Sequence, residues 1–268
     1  VIQNKSPRLL KVLPRFIIRY LKRIIHQDGI NWLLEHHGHK QGVEFITEVL
    51  NHFKVNYSVN GQENIKPAGR YILASNHPLG GLDGMILIHH FGQFFPGVKF
   101  PVNDLLMNIP QLHCVFLPVN KHGVQSAENA RLIEEAYASD AQILYFPAGL
   151  CSRKQNGKIV DLEWKKNFIM KAIKHKRDVV PVYVEGRNSN FFYNLANIRA
   201  ALGIKFNIEM LYLVDEMFRQ AGKNITVTIG KPVPHQDINL KDRNALWWAN
   251  WVKHNVYQLA ANHKSLAS

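Results

Sequence analysis

After Pro14 the N-terminal stretch carries Phe16, Ile17, Tyr20, Leu21, Ile24 and Ile25 at helical spacing, with Arg15, Arg19, Lys22 and Arg23 mostly on the other side. This pattern predicts a basic amphipathic helix within Arg8–Ile25. Val43, Ile46, Leu50 and Phe53 form the apolar stripe of a second helix across Gln41–Phe53. Beyond Gly61 the pattern changes. Tyr71–Ala74 is a short apolar run ending in Ser75-Asn76-His77-Pro78, a strand feeding a loop. Asp83–Phe91, Ala127–Ala138 and Trp164–His175 read as helices. Lys99–Val102, Val115–Val119, Gln142–Phe146, Val179–Val184 and Ile225–Ile229 read as strands, the last stopped by Gly230-Lys231-Pro232. Strands alternating with helices predict an α/β fold. The expected form is a single domain with a mixed, largely parallel central sheet flanked by helices, plus N-terminal amphipathic helices. The expected boundaries are 1–54 for the N-terminal helices, 55–235 for the α/β body and 236–268 for a C-terminal helix of the same domain.

Composition narrows the picture. Of 268 residues, 46% are hydrophobic and 20% charged, enough to bury a core and too apolar for a disordered chain. Two cysteines exclude a disulfide scaffold or a four-cysteine zinc module, so Cys114 and Cys151 read as free thiols. Lys and Arg number 33 against 20 Asp and Glu, a net charge of +13 that calls for a polyanionic partner. Nucleic acid is not the expected one, because no interleaved aromatic–basic motif or known reader fold accompanies the charge. No run of about 20 uncharged apolar residues exists to span a bilayer. The N-terminal helix either lies in a membrane interface, its cations on anionic headgroups, or packs on its own domain.

Two loops hold candidate chemistry, each following a strand, where sites gather in such sheets. In Ser75 to Gly84, His77 and Asp83 flank a Pro-Leu-Gly-Gly-Leu turn that lets them meet. A carboxylate that fixes the tautomer makes a histidine a general base for a hydroxyl. The same residues also fit a structural histidine beside a helix-capping Asp83. In Tyr145 to Lys154, Gly149 precedes Ser152, Arg153 and Lys154, which reads as a phosphate cradle or as a solvated turn. Glu35-His36-His37-Gly38-His39 offers no evident ligand set, so no metal and no other cofactor is expected. Cys151 beside Arg153 and Lys154 is a possible reactive thiol. Trp247, Trp248 and Trp251 form a C-terminal aromatic patch, either core or interfacial. Neither a Walker loop, a G-x-S-x-G elbow nor an H-E-x-x-H helix is present.

The order of these motifs resembles the PlsC-like family of glycerolipid and lysophospholipid acyltransferases. Asn76, His77 and Asp83 match its first motif, and Val102-Asn103-Asp104-Leu105 with Pro110 its second. Phe146-Pro147-Ala148-Gly149 onward to Ser152 and Arg153 resembles the third, and Val180-Pro181-Val182 the fourth; Gly230-Lys231-Pro232 also recurs in the family. The resemblance covers roughly residues 55–235. Five residues rather than the familiar four separate His77 from Asp83, and Ala148, Cys151 and Val102 stand where the familiar motifs have Glu, Arg and Lys. The pattern is similar to a branch holding hemolysin-like and aminolipid-type enzymes.

The resemblance implies direct acyl transfer to a lysolipid hydroxyl, from acyl-ACP or acyl-CoA, with His77 as base and Asp83 orienting it. A lyso-aminolipid, the lyso form of an ornithine or glycine lipid, is favoured over lysophosphatidic acid. The implied substrate-binding set is Asn76, Gly80, Gly81, Asn103, Gly149, Ser152, Arg153, Lys154 and Arg187. Arg15, Arg19, Lys22 and Arg23 are expected to hold the chain peripherally on an anionic membrane surface, at its cytoplasmic face. A non-catalytic lipid-binding role is the alternative of another class.

Overall fold

The computed structural model describes residues 14–103, 106–119 and 126–266, with the backbone alone for 262–266. The part of the expected Arg8–Ile25 helix before Pro14, and Asp104-Leu105, lie outside the described residues. Three helices come first: α1 (Arg15–Ile24), α2 (Gln27–His37) and α3 (Gly42–His52). Then follow β1 (Asn56–Asn60), β2 (Tyr71–Ser75), α4 (Gly81–Phe94), β3 (Val98–Val102) and β4 (Phe116–Pro118). After them come α5 (Ala127–Ala138), β5 (Gln142–Tyr145), the short strands β6 (Arg153–Gln155) and β7 (Lys158–Val160), α6 (Asn167–His175) and β8 (Asp178–Val184). The chain continues through α7 (Asn190–Ala201), α8 (Leu213–Phe218), β9 (Asn224–Ile229) and α9 (Ala245–Leu266).

Seven strands form one sheet in the order β1-β9-β8-β2-β5-β3-β4. Neighbours run parallel except β8 and β9, so the sheet is mixed and largely parallel, as the alternation of elements predicts. β2 lies at its centre, with Leu73 opposite Leu144 on one side and Val180 on the other. Side chains alternate between faces along a strand. Leu73, Leu144, Val180 and Val182 therefore join one core with Ile46 and Leu50 of α3 and Ile86 and Phe91 of α4. Ile72, Ala74, Ile143 and Val179 face the other way, onto Phe168 and Ile169 of α6 and Ala249, Val252 and Val256 of α9. All five residues of β2 are buried, which is why it reads as a continuous apolar run rather than an alternating one.

Arg177, wholly buried, ties α5 to the amino ends of the strands. Its guanidinium donates to the carbonyls of Tyr137 (2.8 Å), Ala141 (2.8 Å), Tyr71, Ala136 and Ser139. Three of these belong to the carboxyl end of α5 and the turn beyond it, where helix carbonyls lack partners and favour a cation. Burial, helped by the neighbouring Arg70, lowers its pKa to about 10.

Several elements escape the hydrophobic pattern, α2 and α8 among them. β1 is an edge strand whose residues alternate between exposed and half-buried, so its sequence Asn-Tyr-Ser-Val-Asn carries little apolar signal. The β6–β7 hairpin turns at Asn156-Gly157, both at positive φ, the geometry of a primed two-residue turn. α7 occupies the aromatic run from Asn190, with the Ser189 side chain accepting from Phe192 N at its start.

Candidate active site

β2 ends at Ser75, and the chain leaves the carboxyl edge of the sheet through Asn76-His77. The Asn76 side chain, buried, bonds both ways with the Val184 backbone: Nδ2 donates to the carbonyl at 2.9 Å and Oδ1 accepts from the amide at 2.7 Å. This clasp holds the ends of β2 and β8 in register and occupies the amide, so Asn76 braces the loop rather than facing a substrate. Gly80 then takes φ +75°, a left-handed turn that absorbs the five-residue spacing, and α4 starts at Gly81. Asp83 thereby falls in the first turn of α4, where helix amides favour a negative charge.

His77 Nδ1 lies 3.0 Å from each oxygen of Asp83. The carboxylate is fully buried and also accepts from Leu79 N at 2.9 Å and Gly84 N at 2.8 Å. The imidazole stacks on Phe146, centroids 4.1 Å apart, and keeps 17% of its side-chain surface exposed. With Nδ1 engaged by Asp83, Nε2 is the nitrogen left for a second partner. Desolvation pushes the imidazole pKa down, but the charges and hydrogen bonds of Asp83 and Cys151 outweigh it and hold the value well above 6.5.

A second buried acid, not singled out from the sequence, supports the same loop. Asp161 Oδ1 accepts from His77 N at 3.2 Å and from Ser152 Oγ at 2.6 Å, and Oδ2 accepts from Trp164 Nε1 at 2.9 Å. Ser152 N donates to His77 O at 2.8 Å, so the third motif and the first are laced together through the backbone of His77. Burial raises the Asp161 pKa against these hydrogen bonds. α9 closes the network: Asp161 N donates to Tyr257 Oη at 2.7 Å, and Lys253 Nζ donates to the carbonyls of Asp161 and Leu162. The only sequence signal is an Asp three residues before a Trp, a spacing without chemical meaning until the sheet is formed.

The expected cation cradle is not assembled. Arg153 lies on β6, only 5% exposed. Its guanidinium donates to Glu209 Oε1 at 2.8 Å, and Arg199 joins the same carboxylate at 3.1 Å. The fork is spent on a buried ion pair and on the Phe192 ring, 5.3 Å away, and is not open to a substrate. Ser152 is likewise buried and committed to Asp161. Lys154 is half-buried on β6, and Arg187, exposed and bonded to Asn190, lies in the loop after β8. Gly149 has φ +67° in the turn after β5, and its amide donates to Phe146 O at 3.0 Å, so that donor is occupied. Gly81 opens α4, and Asn103 follows β3, its Oδ1 accepting from Leu106 N. Cys151 is fully buried with Phe192 and Tyr193 and interacts with the His77 imidazole, rather than standing in an open cationic setting.

Arg15, Arg19, Lys22 and Arg23 are all exposed on α1. The apolar stripe opposite them is partly turned onto the protein: Ile24 is buried, Ile17, Ile18 and Leu21 are half-buried, and Phe16 and Tyr20 remain exposed. Trp248 and Trp251 pack partly buried against the core, while Trp247 stays exposed. His36 and His37 pack with Trp32, and no cluster of His, Cys, Asp and Glu suited to a metal occurs among the described residues. No described helix is long and apolar enough to cross a membrane.

The sequence matches the model of a family described as Acyltransferase over residues 1–262. It is 50% identical over 260 residues to the Lyso-glycine lipid O-acyltransferase of Bacteroides thetaiotaomicron, covering 97% of this chain and 95% of that one. It is 48% identical over 260 residues to the protein of the same name from Phocaeicola vulgatus, covering 97% and 93%. Among solved structures it is similar to the 1-acyl-sn-glycerophosphate acyltransferase PlsC of Thermotoga maritima. That likeness has 20% identity and a TM-score of 0.47, over 92% of this chain and 93% of the other.

Proposed function

The chain belongs to the acyltransferase family, an enzyme that transfers acyl groups, and from that premise we propose that it is a lysolipid O-acyltransferase with His77 as general base. The favoured acceptor is a lyso-aminolipid, a lyso-glycine lipid first, as the names of its near-full-length relatives suggest. The observation that carries the mechanism is the Asp83–His77 contact at the carboxyl edge of β2, 3.0 Å to both oxygens.

Asp83 accepts the Nδ1 proton and so keeps Nε2 unprotonated in the basic form of the imidazole. Nε2 takes the proton of the acceptor hydroxyl as that oxygen attacks the carbonyl carbon of an acyl thioester. The tetrahedral oxyanion collapses, the C–S bond breaks, and the thiol leaves carrying the proton returned by His77. The products are the ester and free carrier thiol, with no covalent acyl-enzyme. The carrier is acyl-ACP or acyl-CoA, both acidic and suited to a chain of net charge +13. The four exposed cations of α1 support peripheral binding to an anionic membrane surface, on this reading its cytoplasmic face.

The test follows free thiol after mixing the purified protein with acyl-CoA or acyl-ACP and lyso-glycine, lyso-ornithine or lysophosphatidic acceptors. Acceptor-dependent release is expected, highest with the lyso-glycine lipid. His77→Ala should lower turnover about 10²–10⁴-fold with the melting temperature little changed. Near-parental turnover in that variant, or no release with any lysolipid, would overturn the proposal.

A further inference from the structure

Large apolar side chains crowd the surface around α7 and the segment that follows it. Ile198, Leu202, Ile204, Phe206 and Leu211 are all exposed within 14 residues of chain, Leu202 by 68% and Phe206 by 65%. Phe191 at the start of α7 and Phe16 and Tyr20 of α1 extend the same character. Single exposed apolar residues are ordinary, but a concentration of this kind marks an interaction surface.

The segment is fastened to α1. Tyr20 Oη meets Tyr212 Oη at 2.7 Å, His26 Nε2 meets Asp215 at 2.7 Å, and the His26 ring stacks on Phe218 at 3.9 Å. Between them lies an open cleft of about 240 Å³, lined by Tyr20, Arg23, Phe191, Tyr212 and Arg219. The segment is also fastened to the candidate site. A side chain at Gly80 would meet Leu213 Cδ2 at 3.0 Å, and one at Gly81 would meet Met217 Sδ at 3.8 Å. α8 thus packs directly on the turn between His77 and Asp83.

The exposed charges around this surface are mostly cationic. Arg187, Lys205 and Arg219 are exposed, as are the four cations of α1. Of the acids from 185 to 219, Glu209 is buried between Arg153 and Arg199 and Glu216 on Ser189, Asp215 is half-buried and paired with Arg219 and His26, and Glu185 alone is exposed. An apolar crest within a cationic rim is complementary to an anionic bilayer, whose headgroups meet the cations while acyl chains receive the apolar groups.

We propose that the 198–211 segment is a second membrane-contacting surface, which with α1 lays the His77 edge of the sheet against an anionic bilayer. The inference rests on the lysolipid reading, since a lysolipid hydroxyl must be met at the headgroup plane. It also narrows the part played by α1. Because Ile24 is buried and the rest of its stripe is half-covered, α1 supplies cations more than apolar insertion.

The experiment is flotation with vesicles of equal parts phosphatidylcholine and phosphatidylglycerol, comparing the parent with the double variant Leu202→Ser and Phe206→Ser. The two side chains are exposed, so the fold should survive, which a melting curve checks. Vesicle affinity should fall at least about tenfold, the effect of losing one large apolar contact or more. Independently, hydrogen exchange of the unaltered protein should slow over 202–206 when vesicles are added. Parental vesicle affinity in the folded double variant, or unchanged exchange, overturns the proposal. So does a parent dimer that the variant converts to monomer while vesicle binding persists, since the crest would then be a contact between two copies. Binding is read without turnover, so a parent that binds vesicles but releases no thiol with any lysolipid refutes the acyltransfer reading alone.

Discussion

Replacing Asp83 by Asn changes one atom and tests the core of the mechanism. The two carboxylate oxygens receive three donors: His77 Nδ1, Leu79 N and Gly84 N, all within 3.0 Å. An amide has one acceptor oxygen, so its NH2 must oppose a backbone N–H whichever way it turns. One buried donor left unpaired costs about 1–3 kcal/mol, a fall in melting temperature of a few degrees. The charge effect is larger. Two unit charges 3.0 Å apart interact by about 5 kcal/mol at an effective dielectric constant near 20. Losing even a quarter of that lowers the His77 pKa by about one unit. Desolvation, which already pushes His77 down, then acts with less opposition. In the parent, the acid limb of kcat/KM should lie above pH 6.5, because protonated His77 cannot accept a proton. In Asp83→Asn that limb should move about one unit or more toward acid. The plateau rate should fall about 10²–10⁴-fold, because the amide no longer fixes the tautomer. Stability should follow the same titration. A raised folded pKa stabilises fully below the unfolded value near 6.5 and loses that contribution as pH rises through the folded value. The deficit of Asp83→Asn should therefore be largest in mildly acid solution and smaller in alkali. A folded Asp83→Asn enzyme with turnover within tenfold of the parent and an unmoved acid limb would refute the reasoning.

Three further substitutions separate structure from chemistry. Cys151→Ala should yield no acylated protein by mass spectrometry and keep most of the plateau turnover, since transfer is direct, while the acid limb moves toward lower pH because one group that raises the His77 pKa is gone; loss of activity with an acyl adduct in the parent would assign Cys151 as nucleophile. Arg153→Met should act on stability rather than on the Michaelis constant for an anionic substrate. Glu209 loses one of its two partners, and breaking a buried pair costs about 3–5 kcal/mol, read by chemical denaturation. A raised Michaelis constant with unaltered stability would return Arg153 to the substrate. Asp161→Asn must set its amide against Trp164 Nε1, Ser152 Oγ or His77 N. It should lower turnover about tenfold by shifting the His77 backbone, the equivalent of about 1.4 kcal/mol; parental turnover would reduce Asp161 to a packing role.

The sequence by itself determined the features that depend on neighbours along the chain. Hydrophobic periodicity marked most sheet strands and the helices between them, because burial of one face is written into spacings of two and of three to four residues. Asn76, His77 and Asp83 were legible as a motif because one short glycine turn joins them, and Gly80 at positive φ is the residue that makes the turn. Tertiary structure alone decided which polar groups satisfy one another across the fold. Arg153 reads as an open cation until Glu209, 56 residues on, is folded against it. Asn76 reads as a substrate ligand until Val184, 108 residues away, takes both ends of its amide. Asp161 has no chemistry until β2 brings His77 N to its carboxylate across 84 residues. The exposed crest after α7 is equally invisible in one dimension, since a run of apolar residues does not say which of them the core will take. Local periodicity records which face of an element wants to be dry. The pairing of buried charges and amides is set by the desolvation each would suffer alone, and that is fixed only once the sheet has put distant residues side by side.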